Sequence, residues 1–88
     1  MEPYRILLAD DHVLFREAMR KAIGDTKGLV VVGGVDDGLE LMEFLKHTRP
    51  DLIILDLTMP NLSGLEAARE IKKLYPEIKI LVLSMHKS

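Results

Sequence analysis

Apolar residues in this chain gather into four short runs, separated by three stretches where they recur every three or four positions. The first run, residues 6–9, is a short strand that ends in Asp10-Asp11. Beyond it, Leu14, Phe15, Ala18, Met19, Ala22 and Ile23 form one helical stripe, with Arg16, Glu17, Arg20 and Lys21 facing outward. Asp11 is placed to cap this helix, and Gly24 stands where a left-handed C-terminal residue is wanted. Residues 25–28 read as a turn. The β-branched run 29–33 is the second strand, and 34–38 a loop. Asp37 with Glu40 resembles a capping box, and Leu41, Met42, Phe44 and Leu45 mark a second helix. That helix stops near Thr48, because Pro50 disfavours a helical Arg49.

The third run, 51–57, reads as a strand buried on both faces, with an unbroken aliphatic block over 52–55. Ser63-Gly64-Leu65-Glu66 is a second capping box, and Ala67, Ala68, Ile71, Leu74 and Tyr75 supply the buried face of a third helix ended by Pro76. Residues 78–83 are the fourth strand. The order β-α-β-α-β-α-β, with connections of a few residues, predicts an α/β fold with a parallel sheet and right-handed crossovers. No repeat and no inter-domain linker interrupts it.

Composition narrows the picture. Eighty-eight residues suffice for one small domain, spanning 1–88. A net charge of −2 does not point to nucleic acid. With no cysteine, disulfide and thiolate chemistry are excluded. The start lacks the pattern of a signal peptide, and no apolar run approaches the roughly 20 residues that span a bilayer. A cytoplasmic protein without membrane contact is expected.

The candidate chemistry lies at strand ends. An ionised Asp56 inside an aliphatic block costs several kcal/mol, so it belongs where the strand emerges from the sheet. Open α/β sheets bind ligands at that carboxyl edge. A strand-terminating or helix-capping Asp is the plainer alternative. Asp10 and Asp11 end the first strand and Ser84 the fourth, so parallel topology brings all of them to one rim. Neighbouring strands are about 4.8 Å apart. Three carboxylates there repel one another, and protonation or a bound cation relieves them. An oxygen-only donor set suits Mg²⁺. Asp56 beside such an ion is placed to attack phosphorus, with the Ser84 hydroxyl donating to a phosphoryl oxygen. Taken singly, Asp10-Asp11 also reads as a helix cap and Ser84 as an ordinary strand-end hydroxyl. His12 reads as a polar residue at a helix start, His47 as a side chain suited to a helix C-terminus. The methionines are scattered and read as core filler.

The sequence resembles the receiver domain of bacterial two-component response regulators. The resemblance rests on Ile6-Leu7-Leu8-Ala9-Asp10-Asp11-His12, on residues 51–60 (Asp51 through Pro60) with Gly64, and on Leu81-Val82-Leu83-Ser84. Asp-Asp-His after the first strand and Leu-Ser-Met-His after the fourth are similar to the NarL/LuxR-type subgroup. The resemblance implies a flavodoxin-like, doubly wound sheet of order 2-1-3-4, incomplete after the fourth strand. It makes Asp56 the phosphoacceptor and assigns Mg²⁺ to Asp10, Asp11, Asp56 and the Thr58 backbone carbonyl. It implies that Ser84 follows the phosphoryl group, and that Met59-Pro60 and Gly64 shape the loop after the acceptor. The partner implied is a sensor histidine kinase. DNA would be bound only through an output domain that lies outside these residues. The family's fourth helix, fifth strand with its lysine, and fifth helix also have no counterpart, and Lys87 comes too early to be that lysine. An exposed fourth strand then predicts a homodimer or strand exchange. The alternatives are an interaction fragment that accepts no phosphate and, more remotely, a haloacid-dehalogenase-type phosphatase. On the leading reading the protein is not an enzyme.

Overall fold

The computed structural model describes residues 2–83. Ser84, His86 and Lys87 lie outside the described residues. The elements follow as β1 (Tyr4–Ala9), α1 (Val13–Gly24), β2 (Leu29–Val35), α2 (Gly38–Leu45), β3 (Leu52–Asp56), α3 (Gly64–Leu74) and β4 (Lys79–Leu83). The strands form one sheet in the order β2-β1-β3-β4. All three neighbouring pairs are parallel. This is the flavodoxin-like order 2-1-3-4.

Side chains alternate across the central strands, so each strand feeds two cores. Leu7 and Ala9 of β1 and Ile53 and Leu55 of β3 pack with Leu41, Leu45, Ala67 and Ile71 of α2 and α3. Ile6, Leu8 and Ile54 face the other way, toward Met19 and Ile23 of α1. Both predicted N-caps form, without the reciprocal bond to the N-cap N–H that completes a capping box. The Ser63 hydroxyl accepts from Glu66 N at 3.2 Å. Asp37 Oδ1 accepts from Glu40 N at 2.8 Å, and Glu40 Oε1 accepts from Asp36 N at 2.6 Å.

The Asp37 cap carries a pH dependence. Its carboxyl is held below the ordinary carboxylate value, first by the Glu40 N–H and then by the Asn61 side chain. A depressed folded-state pKa gives stability that is present above the unfolded value and lost as pH falls through the folded one. The unfolding midpoint is therefore expected to drop on acidification below the carboxylate range, and to drop less steeply in Asp37→Ala. Thermal melts across that range check it.

Several readings need correction. The second strand does not stop at Gly33: it continues through Gly34 to Val35, paired with β1 to its end. A register shift between Ile6 and Leu7 absorbs one extra residue. Gly33 runs under an aromatic ring, since a Cβ there would sit 2.7 Å from Phe44 Cε2. Next, the N-cap of α1 is His12, not Asp11, and Gly24 is not its left-handed terminator. The chain leaves α1 in a right-handed conformation at Asp25, and the positive φ falls on Gly28 instead. Third, only one row of the α1 stripe faces the sheet. Phe15 and Met19 are half-buried and Ile23 is buried, whereas Leu14 is 86% exposed. A helix lying mainly over β2 covers a single i, i+4 row. Arg16, expected to face solvent, turns inward to the end of β1. Fourth, Asp51 precedes its strand, where its Oδ2 accepts from Arg5 N at 2.8 Å, and Leu57 follows it as a turn residue. Leu74 and Tyr75 also part company: Leu74 is exposed, and Tyr75 lies half-buried beneath the Arg49 guanidinium.

Candidate functional site

Register builds the site. Ala9 of β1 is paired with Leu55 of β3, so Asp10 and Asp56 leave the sheet side by side. Both are buried, Asp10 at 3% and Asp56 at 0% exposure. Asp11 and His12 follow on the surface. One ligand atom from each of Asp10, Asp11, His12 and Asp56 falls within 4.8 Å of the others.

Each buried acid folds its own following residues into a turn. Asp10 Oδ1 accepts from His12 N at 2.7 Å, and Asp56 Oδ1 accepts from Thr58 N at 3.0 Å. These are the i to i+2 bonds by which Asp closes a turn on its own backbone. The Thr58 hydroxyl adds a second donor to Asp56 Oδ1 at 2.9 Å. In both acids this commits Oδ1 and leaves Oδ2 buried without a hydrogen-bond partner among the described residues. Two orphaned, buried carboxylate oxygens are costly, and a bound cation would relieve that cost.

The His12 ring lies beside all three acids. Its Nδ1 lies 2.8 Å from Asp10 Oδ1 and 3.4 Å from both Asp11 Oδ1 and Asp56 Oδ2. The last two are contacts of charge, longer than a good hydrogen bond. His12 is raised above the ordinary imidazole value, first by its hydrogen bond to Asp10 and then by that residue's charge. Asp11 and Asp56 add to the shift, and desolvation opposes it. A half-exposed ring does not satisfy the buried Oδ2 atoms, so the donor set still fits a small oxygen-seeking divalent ion held by Asp10, Asp11 and Asp56.

The surrounding backbone is close-packed. A Cβ on Gly64 would sit 2.5 Å from the Asp56 carbonyl oxygen and 2.6 Å from Leu57 Cα, so α3 starts directly against the acid strand. Arg16 Nη1 donates to the Asp10 carbonyl oxygen at 3.2 Å and pairs with Asp36, tying β1 to the loop after β2. By contrast, an open cleft of about 840 Å³ lies around Tyr4, Arg5, Lys27 and Asp51, near the amino ends of the strands. It gathers no acid cluster and is at the other end of the sheet from Asp56.

The structure thus brings together Asp10, Asp11 and Asp56, as expected from topology, and places Thr58 against Asp56. It does so through the Thr58 amide and hydroxyl, a role for the side chain that the sequence reading left out. Ser84 lies outside the described residues. His12 and Arg16 were read as surface polar groups, yet both touch the site. The signal for His12 was its position two residues after Asp10, the spacing of an Asp-closed turn.

A family model described as the response regulator receiver domain matches residues 6–88. The transcriptional regulatory protein DegU of Brevibacillus brevis is 38% identical over 82 residues, covering 93% of this chain and 35% of that protein. The response regulator GacA of Pseudomonas aeruginosa is 35% identical over 81 residues, covering 92% of this chain and 38% of that protein. The chain spans little more than a third of the length of these curated relatives. Among solved structures, a LuxR-family two-component response regulator from Aurantimonas sp. superposes with a TM-score of 0.88 at 36% identity, covering 99% of this chain and 62% of that one. The signal receiver domain of the putative response regulator NarL from Mycobacterium tuberculosis gives 0.88 at 34% identity, with 100% and 71% covered. By sequence, topology and the acids at the sheet's rim, the chain belongs to the response regulator receiver domain family, among relatives of the NarL/LuxR type.

Proposed function

We propose that this domain accepts a phosphoryl group on Asp56 in two-component signalling, with Mg²⁺ held by Asp10, Asp11, Asp56 and the Thr58 backbone carbonyl. The observation that carries the reading is the free, buried Oδ2 of Asp56 beside the free, buried Oδ2 of Asp10. Thr58 pins Oδ1 with two donors, so the carboxylate cannot swing away and one oxygen is left to react. That oxygen forms the new bond to phosphorus. The bond to the phosphodonor breaks, and its electron pair leaves with the imidazole of a histidine kinase or the carboxylate of an acyl phosphate. When bound, Mg²⁺ offsets charge on the transferring oxygens. The Ser84 hydroxyl is assigned the phosphoryl oxygens on the strength of the sequence.

The control of transcription, by a DNA-binding output domain elsewhere in a longer regulator, belongs to the same reading, as does a cytoplasmic setting. It is supported by the share of its relatives that the chain spans and by the printed names of those relatives. No helix among the described residues is long and apolar enough to cross a membrane. The residue two positions after Asp56 is Thr58, not a second acid, which disfavours a phosphatase of the haloacid-dehalogenase type.

Incubation with acetyl phosphate and Mg²⁺, followed by intact mass, tests the proposal. A gain of one phosphoryl group that disappears in Asp56→Asn and on chelation supports it. No gain in the wild type, or a gain that survives Asp56→Asn, rejects it. The outer side of β4 adds a second expectation. Leu81 is 50% and Val82 44% exposed, one on each face of the sheet, and β4 has a strand neighbour on one side only among the described residues. An open apolar edge seeks a partner strand. The 88-residue species is expected to self-associate through β4, and a monomer by sedimentation at high concentration counts against that.

A further inference from the structure

Beside the acid cluster, the loop after β2 meets the loop after β3. Asp37 serves both. Its Oδ1 caps α2, as described, and its Oδ2 accepts from Asn61 Nδ2 at 2.8 Å. Asn61 has φ 67°, a left-handed conformation that no other described non-glycine residue adopts. Asn tolerates it better than most side chains, but a non-glycine residue stays there only where its surroundings over-determine it. The neighbours of Asn61 show the same closeness. Gly38 N reaches the Pro60 carbonyl oxygen at 3.5 Å, and a Cβ on Gly38 would collide with the Leu62 carbonyl oxygen and lie 2.6 Å from Leu62 Cβ. Three consecutive loop residues, Pro60 to Leu62, are thus pressed onto the start of α2. At the loop's far end, Gly64 abuts Asp56. Between Asp56 and this anchored stretch lie only Leu57, Thr58 and the buried Met59.

We infer that the Asp37–Asn61 bridge is a positioning device for the phosphoacceptor: it holds the loop after β3 so that both Thr58 donors stay on Asp56 Oδ1 and Oδ2 is the oxygen presented. Asp37 and Asn61 touch no reacting atom. They act through Thr58, and the bridge lets the first turn of α2 set the geometry of a side chain on another strand. The Glu40 N–H and the Asn61 side-chain N–H both favour the ionised form of Asp37, so the bridge is charge-assisted. Its consequence for transfer rests on the reading of Asp56 as phosphoacceptor. Its consequence for Thr58 does not.

A reciprocal exchange tests it. Asp37→Asn retains a good helix cap, and the Asn61 amide can turn its oxygen to the new NH2, so this variant keeps the bridge and loses only its charge. Asn61→Asp opposes two carboxylates, and Asp tolerates the left-handed conformation too. The double variant Asp37→Asn/Asn61→Asp restores one donor facing one acceptor. Amide hydrogen exchange of Thr58, measured against the core amide of Leu55, is expected to quicken about tenfold in Asn61→Asp, the factor for losing one such bond, and less than about threefold in Asp37→Asn. The double variant is expected to return to within about twofold of the wild type on the same scale. The rate of phosphoryl uptake from acetyl phosphate with Mg²⁺ is expected to fall and recover in step. Equal acceleration of Thr58 and Leu55 would mean a purely structural bridge and overturns the inference, as does a double variant that fails to recover. A wild type that takes up no phosphoryl group removes the phosphoacceptor reading, while Thr58 exchange still decides the bridge.

Discussion

Asp56→Asn is expected to make the metal-free domain more stable, by about 2 kcal/mol, even as it removes the reacting oxygen. Asp56 is fully buried, and its Oδ2 and that of the neighbouring Asp10 have no hydrogen-bond partner among the described residues. A carboxylate oxygen of each lies within 4.8 Å of the other, and two like charges about 5 Å apart repel by about 3 kcal/mol at an effective dielectric of 20. The half-exposed His12 ring offsets part of this from one side only. An amide keeps the acceptor that Thr58 uses, drops the charge, and turns a donor toward the remaining carboxylate. For a domain of this size, 2 kcal/mol corresponds to roughly 10 °C in the melting midpoint. The gain should appear in chelator and shrink when Mg²⁺ is added, because an ion that binds only the folded wild type stabilises it by mass action. Melts with and without Mg²⁺ provide the measurement. Equal or lower stability of the amide variant in chelator would mean that the acid cluster is not under electrostatic strain.

Gly64→Ala should do the opposite. In a helix, alanine is favoured over glycine by about 1 kcal/mol, so propensity alone predicts a gain. Here the added Cβ meets the Asp56 carbonyl oxygen and Leu57 Cα, which are backbone and cannot rotate aside. Either α3 or the end of β3 must move, and such overpacking costs about 3 kcal/mol. The net loss is about 2 kcal/mol, again roughly 10 °C, and phosphoryl uptake should fall with it because the displaced atoms belong to the acceptor strand. Gly24 is the control. It ends α1 with nothing within 4 Å of a built Cβ and without a positive φ, so Gly24→Ala is expected to be neutral or stabilising by up to about 1 kcal/mol. If the two substitutions behave alike, close packing at Gly64 is not what selects glycine there.

Much of the fold was legible because its signals are local. Leu52 to Leu55 reads as a buried strand from composition alone, and the Asp37/Glu40 and Ser63/Glu66 pairs each announce a helix start within four residues. Legibility failed where a neighbour distant in the chain decides. Gly33-Gly34 looks like a loop, yet β1 supplies ladder partners and the Phe44 ring occupies the space a side chain would need. Leu14 and Phe15 are equally apolar, and only the placement of α1 over β2 tells which is covered.

The same division runs through the site. Parallel order was enough to send Asp10, Asp11 and Asp56 to one rim, since every strand of such a sheet ends on the same side. The sequence by itself therefore determined the element order, the N-caps of α2 and α3 and the company the three acids keep. Only the tertiary structure decided which oxygen of each buried acid is free, that His12 and the Thr58 hydroxyl join them, and that Asn61 is tied to Asp37 across 24 positions of chain. The turns that Asp10 and Asp56 close are local but share their sequence with plain caps, and the Asp37–Asn61 bridge depends on hydrogen-bond geometry between segments far apart in sequence, a distance that no local pattern of residues encodes.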